Sequence, residues 1–311
     1  MKNTVNSAMS EYIYPLNINS LEGRMLKLPS SNEKKNEILF IYGHHSTIER
    51  WSGLIQVLGD YGNVTVPDLP GFGGMDSFYR IKKKPTIDNY ADYLASFIKL
   101  RYSNKKFTLV GLSFGFVIAT RMLQRHPELI SKIELLISLV GFTHRDDFTF
   151  SKARFNSYFL GSKIFSGYLS SKLFRYLFLN SLILKLIYAR THNARHKFKN
   201  VTNKNEFNSL INIEIQLWHS NDVRTWMYTT TEFLKLDNCI KQINLPVWHV
   251  MTKNDNYFDP KIVEQHMNII FKKFNKTVST IDNHAPSVIA DKKSAQKLVP
   301  YKLKLQLNKL K

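Results

Sequence analysis

Acidic residues are scarce in this chain, and between Phe148 and Asn205 there are none. Over 311 residues, 44 Lys and Arg stand against 24 Asp and Glu, a formal net charge of +20. Cysteine is rarer still. Cys239 stands alone, which excludes an intrachain disulfide and any cysteine-rich zinc site. A single cysteine fits a reducing, cytoplasmic setting, and Cys239 reads as a small core residue rather than a nucleophile. Long apolar runs are missing: no stretch of about 18 apolar residues could span a bilayer. Met1 to Asn19 is polar, with no secretory-leader pattern expected. Zinc-finger, helix-turn-helix and aromatic RNP patterns are absent too, which speaks against a nucleic-acid partner. Two readings of the charge stand side by side. Lys and Asn have A-rich codons and follow from an AT-rich coding sequence; or the surface attracts anions, such as an anionic membrane met peripherally.

What the chain does have is a rhythm. Short apolar runs at Glu37–Tyr42, Asn63–Pro67, Phe107–Val110 and Ile133–Val140 read as buried strands. Between them, Thr47–Leu58, Ile87–Leu100 and Phe116–Arg125 carry helical spacing. The first of these places Ile48, Trp51, Leu54, Ile55 and Leu58 on one face. Strands alternating with helices predict an α/β fold with a mostly parallel, doubly wound sheet. Residues 11–29 add two short antiparallel strands. After Gly141 the rhythm breaks. The acid-free window holds eleven Lys or Arg interleaved with Phe155, Tyr158, Phe159, Phe165 and other aromatics. This predicts a helical, basic and aromatic insertion over 142–242, with Asp222–Leu236 as one of its helices. The strands resume at Pro246–Met251 and Thr277–Ile281. The core is thus 1–141 and 243–300. The tail 301–311 alternates Leu with Lys and fits an edge strand, an amphipathic helix or disorder.

The most informative stretch is Gly111-Leu112-Ser113-Phe114-Gly115, a G-x-S-x-G between a strand and a helix. On such a turn only small residues fit two positions either side of the serine, and the hydroxyl is lifted clear of the sheet. The N–H of Phe114, at a helix N-terminus, can stabilise a developing oxyanion. Ligands of doubly wound sheets bind beyond the carboxyl ends of the strands, so partners of Ser113 should follow strands directly. Asp255 and His284 do, in the chain order Ser…Asp…His. Asp146 or Asp147, after the preceding strand, is the alternative carboxylate. Asp259, before Pro260, reads as a helix cap. His44 and His45 are adjacent, point apart and have no ligand cluster nearby, so no metal is expected. His126, His219, His249 and His266 read as structural or solvated, and Asp68 as a turn former.

These motifs resemble those of the capped, lipase/esterase-like α/β-hydrolase superfamily, over residues 36–142 and 243–296, with the insertion matching only in position. Gly43-His44 resembles the oxyanion loop, Asp68-Leu69-Pro70-Gly71-Phe72-Gly73 the D-x-P-G-x-G segment, and His126-Pro127-Glu128 the end of the elbow helix. Lys253-Asn254-Asp255 resembles the acid loop, and Asn283-His284-Ala285-Pro286 the histidine loop. Two positions depart: Tyr42 replaces the usual histidine before Gly43, and Met75 stands where serine is common. The resemblance implies a serine hydrolase with a Ser113–His284–Asp255 triad. It also implies oxyanion donors from the N–H groups of His44 and Phe114, and a pocket touched by His45, Phe116 and Phe142. The expected substrate is a small ester or acyl compound, with no cofactor. An aspartate nucleophile, as epoxide hydrolysis and dehalogenation require, is excluded by Ser113. C–C bond hydrolysis, peptide-bond cleavage from an amino terminus, acyl transfer and a non-catalytic binding role remain open.

Overall fold

A computed structural model describes residues 9–180, 183–185, 204–281 and 291–310. Among the described residues, eight strands form one sheet: β1 (Ile13–Ile18), β2 (Leu21–Leu28), β3 (Glu37–Ile41), β4 (Asn63–Pro67), β5 (Phe107–Leu112), β6 (Ile133–Leu139), β7 (Val247–Met251) and β8 (Phe274–Val278). Their spatial order is β1-β2-β4-β3-β5-β6-β7-β8. The β1–β2 hairpin joins β4 antiparallel, and every later pairing is parallel. Every residue of β5 is buried, as a central parallel strand sandwiched between helices demands.

The connecting helices are α1 (Ser52–Gly59), α2 (Ile87–Arg101) and α3 (Phe114–Arg125). The chain steps from β3 outward to β4, then crosses back to β5 on the other side of β3. Right-handed crossovers in opposite directions put α1 on one face of the sheet and α2 and α3 on the other. The crevice at this reversal lies beyond the ends of β3 and β5. Gly43 and Ser113 stand there.

Among the described residues, the segment after β6 carries α4 (Lys152–Phe165), α5 (Tyr168–Phe178), α6 (Lys204–Ser220) and α7 (Val223–Phe233). They surround a small apolar cluster of their own, with Leu179, Ile211, Ile215, Val223 and Met227. The turn between α6 and α7 is tied to the D-x-P-G-x-G segment. Asp222 N–H donates to Gly71 O at 2.8 Å, Gly74 N–H to Ser220 O at 3.1 Å, and Gly73 N–H to Asn221 Oδ1 at 2.9 Å. That segment therefore anchors these helices over the sheet.

Three boundaries differ from the sequence expectation. The last strand runs from Phe274 to Val278, not Thr277 to Ile281. It is an edge strand paired only to β7, and Thr277 is its one buried residue, so its apolar signal is weak. The helix expected from Thr47 begins with a 3-10 turn, Glu49–Trp51, before α1. The elbow helix starts at Phe114 rather than Phe116. After α8 (Pro260–Ile270) and the short α9 (Lys292–Ala295), the tail forms α10 (Tyr301–Lys309). Leu303 and Leu307, four apart, are buried in the core, while Leu305 faces outward. Asp259 caps α8 as expected, its Oδ1 accepting from Lys261 and Ile262.

Candidate active site

Ser113 stands where β5 hands over to α3, at φ 49° and ψ −113°. A residue with a side chain holds such a backbone only where its surroundings impose it. Here Ser113 N–H donates to Leu139 O on β6 at 2.9 Å, and Ser113 O accepts from Phe116 N–H at 3.0 Å. The flanking glycines make the turn sterically feasible. A Cβ at 111 would lie 2.6 Å from Phe116 Cα, and one at 115 would lie 2.1 Å from the carbonyl oxygen of Ile41. This is the strained strand-turn-helix that the motif requires. Phe114 opens α3, so its N–H is one of those a helix leaves without an intrahelical acceptor.

Across from the elbow, the loop after β3 brings in His44. Its ring is buried among Phe72, Phe114, Trp226 and Phe233, and Nε2 lies 2.7 Å from Thr229 Oγ1. The Thr229 hydroxyl gives its single proton to backbone carbonyls of α7, at 2.8 Å from Thr225 O. It must therefore accept from His44, which fixes the tautomer with the proton on Nε2. Burial, and then neighbouring His45, hold the His44 pKa well below the usual imidazole value. A neutral imidazole engaged with Thr229 leaves the backbone N–H as this residue's donor toward substrate. His45, at φ 53°, turns the other way, its ring tilted 45° against Trp218 at 4.0 Å between centroids and Nδ1 3.2 Å from Asn221 Nδ2. The two rings thus serve different partners. Among the described residues no group of three His, Cys, Asp or Glu is placed to hold a metal.

A cavity of about 340 Å³ joins these parts. Ser113, Gly43, His44, His45 and Phe142 line it, with Arg50, Phe148, Trp226, Phe233 and Tyr257. Phe116 does not. It is fully buried beneath the elbow, against Phe271. At 100° per residue, two steps along α3 turn its side chain about 200° away from Phe114, which faces His44. Asp255 lies at the loop after β7. Its Oδ1 accepts N–H bonds from Tyr257 at 2.8 Å and Phe258 at 3.1 Å. It borders a small adjacent cavity, with Phe258 forming part of both walls. His284 lies outside the described residues. The alternative carboxylate Asp147 is fully engaged: Oδ2 accepts from Thr143 and His144 N–H, and Oδ1 lies 2.6 Å from His266 Nδ1. Asp146 is exposed.

The substitution at Tyr42 now has a reason. Asp68, read from sequence as a turn former, is completely buried. Tyr42 OH donates to Asp68 Oδ1 at 2.8 Å and accepts from Leu69 N–H at 2.9 Å. Arg24 Nε binds the other carboxylate oxygen at 2.6 Å, and its remaining nitrogens grip Glu49 at 2.6 and 2.9 Å. Burial pushes Asp68 up to about 7, against the pull of Arg24. This network braces the base of the Gly43-His44 loop from β2, β4 and the Glu49–Trp51 turn. Cys239 packs beside the core, and burial pushes its thiol up to about 11, a poor nucleophile.

His249, buried on β7 with Nδ1 2.9 Å from Ser138 Oγ, is depressed to about 4 by burial, with Asp255 opposing. An unfolded imidazole titrates near about 6.5. The unfolded chain therefore binds the proton first as pH falls. The fold has its full stability above about 6.5 and loses about 3 kcal/mol from this group on the way down to pH 4. His44 acts in the same direction. Denaturant midpoints measured across that window should fall steeply for the native chain and less steeply for His249→Asn.

Residues 37–164 match the family model of the alpha/beta hydrolase fold. Over 103 residues the chain is 30% identical to the biotin biosynthesis bifunctional protein BioHC of Teredinibacter turnerae. That match covers 32% of this chain and 16% of the relative, so only a small part of the relative's length is spanned. Among solved structures, a thermophilic esterase from Thermogutta terrifontis aligns with TM-score 0.63 at 16% identity, over 96% of this chain and 98% of that one. The enol-lactonase from Burkholderia xenovorans aligns with TM-score 0.65 at 11% identity, over 95% and 100%. The chain has the α/β-hydrolase fold, with the architecture seen in solved esterases and lipases. That fold supports hydrolase activity.

Proposed function

We propose that the protein is a serine hydrolase that cleaves a compact carboxylic ester through an acyl-enzyme. The observation that carries this is Ser113, held at φ 49° on the elbow and facing one cavity with the His44 loop. His284 removes the Ser113 proton as Oγ attacks the ester carbonyl, and returns it to the departing alcohol. Asp255 orients the imidazole and stabilises its protonated form. The N–H groups of His44 and Phe114 take the oxyanion charge. Water, activated by the same histidine, then releases the acid and frees Ser113. Among the described residues the cavity lining contains no carboxylate to receive a substrate amine, which favours esters over amino-terminal peptides. Incubation with a fluorophosphonate probe, followed by peptide mass mapping, tests this. A covalent adduct on Ser113 together with turnover of 4-nitrophenyl acetate supports the reading; a folded protein that neither labels nor turns over overturns it.

The same reading extends to where the enzyme works: we propose that it docks peripherally on anionic membranes. Leu160, Ile164, Leu169, Leu173, Tyr176 and Leu177 are exposed on α4 and α5, with Leu169 at 77% and Tyr176 at 80%. Exposed Lys163 and Lys172 lie among them, and the window contains no acid. Apolar side chains enter the interface while each lysine near an anionic surface adds about 1 kcal/mol. No helix among the described residues is long and apolar enough to cross a membrane. Co-sedimentation with phosphatidylserine-containing vesicles should exceed that with pure phosphatidylcholine, and Leu169→Asp with Leu173→Asp should remove it. Equal binding to both vesicle types would refute the charge-dependent docking.

A further inference from the structure

Arg50 sits in the 3-10 turn Glu49–Trp51, between the His44 loop and α1. Its side chain is only 7% exposed, yet it lines the cavity that holds Ser113. The neighbouring walls are aromatic: Phe148, Phe150, Tyr257 and Phe258. Its ionic partner is Glu214 on α6, with Nη1 3.6 Å from Oε1. That distance balances charge but is too long for a hydrogen bond. Glu214 is not part of the cavity lining. The guanidinium also lies close enough to Tyr257 to act on it electrostatically. A planar fork of five donors is therefore held at the wall of a largely apolar chamber that also holds Ser113.

Desolvating a guanidinium is unfavourable, so it persists where hydrogen-bonding anions complete it. The fork matches a carboxylate bidentately, and such charge-assisted bonds strengthen in a dry site. A chamber of about 340 Å³ is at the small end of ligand pockets, which suits a compact acid. We propose that Arg50 is the specificity-determining residue of this site, and that the substrate is a compact ester carrying a free carboxylate at the end remote from the scissile bond. This rests on the reading of Ser113 as an acyl-transfer nucleophile and adds the substrate class. Its role is in binding: Arg50 holds the acid so that the ester carbonyl comes to Ser113 Oγ.

Paired esters test it. One pair, 4-nitrophenyl hydrogen glutarate against 4-nitrophenyl valerate, places the acid on the acyl side. The other, 4-acetoxybenzoate against 4-tolyl acetate, places it on the leaving group. In at least one pair kcat/KM should favour the acid by about 10- to 100-fold, mostly through KM. Arg50→Met combined with Glu214→Met removes both buried charges, so neither is stranded, and should bring that ratio close to one. Arg50→Lys should restore part of it. Turnover of neutral esters with no preference in either pair overturns this assignment while leaving the nucleophile reading intact. So does a preference that survives the double variant, or a stronger preference for 4-acetoxyphenyl phosphate. Absence of all ester turnover, with no fluorophosphonate adduct, overturns the nucleophile reading itself.

Discussion

Replacement of Ser113 by alanine is expected to lower ester turnover by about 10⁴- to 10⁶-fold, because in the proposed mechanism the nucleophile acts as a unit with its base. Among the described residues, the nearest chemical alternative, Cys239, carries a thiol raised to about 11. The variant should fold normally and still bind substrate, since Ser113 fixes the elbow through backbone bonds that alanine keeps. The strain at φ 49° stays as well. Glycine relieves it. Ser113→Gly should therefore be as inactive as Ser113→Ala but more stable than it, by about 1–3 kcal/mol. Thermal unfolding of the two variants side by side measures the strain that the elbow stores. Equal stability would mean that the surrounding bonds bear no such load, and ester turnover by Ser113→Ala near the native rate would remove Ser113 from the chemistry.

Much of this architecture was legible because central parallel strands leave a simple trace. A strand buried on both faces needs an unbroken apolar run, and Phe107–Leu112 supplies one. Edge elements leave weaker traces. β8 exposes four of its five residues at least partly, so its register could not be read from hydrophobicity alone. The tail shows a different ambiguity. Leu303, Leu305 and Leu307 alternate as a strand would, yet the core takes only the first and third, which a helix stacks four apart. At the site, the elbow and the His44 loop were readable because backbone geometry restricts which residues fit there. Arg50 was not. On a regular helical wheel over 47–58 it falls on the polar side, whereas the 3-10 turn rotates it toward the cavity. Phe116 erred the other way: adjacency in sequence to the elbow placed it near the serine, but helical rotation carries it under the sheet. Asp68 looked like a turn residue because its partners Arg24, Tyr42 and Glu49 are distant in sequence.

The second large effect is expected at Gly115. Alanine there would bring a methyl group to 2.1 Å from Ile41 O and 2.7 Å from Tyr42 O. Both obstacles are backbone atoms at the end of β3, so no side-chain rotation relieves the contact. Either β3 retreats, dragging the Gly43-His44 loop, or α3 tilts away and takes Ser113 and the Phe114 N–H with it. Each response separates the proposed nucleophile from one of its proposed oxyanion donors. A displacement of about 1 Å is enough to lower turnover about 100-fold, and overpacking against a rigid strand should lower stability by about 3 kcal/mol. Gly161→Ala provides the contrast. Gly161 lies in α4 with nothing within 4 Å of the added carbon, so alanine there should raise stability by about 0.4–1 kcal/mol through helix propensity and a less flexible unfolded chain. Activity and melting temperature measured on both variants separate the two cases. If Gly115→Ala retained native turnover, the close approach of the elbow helix to β3 would not be what positions the serine.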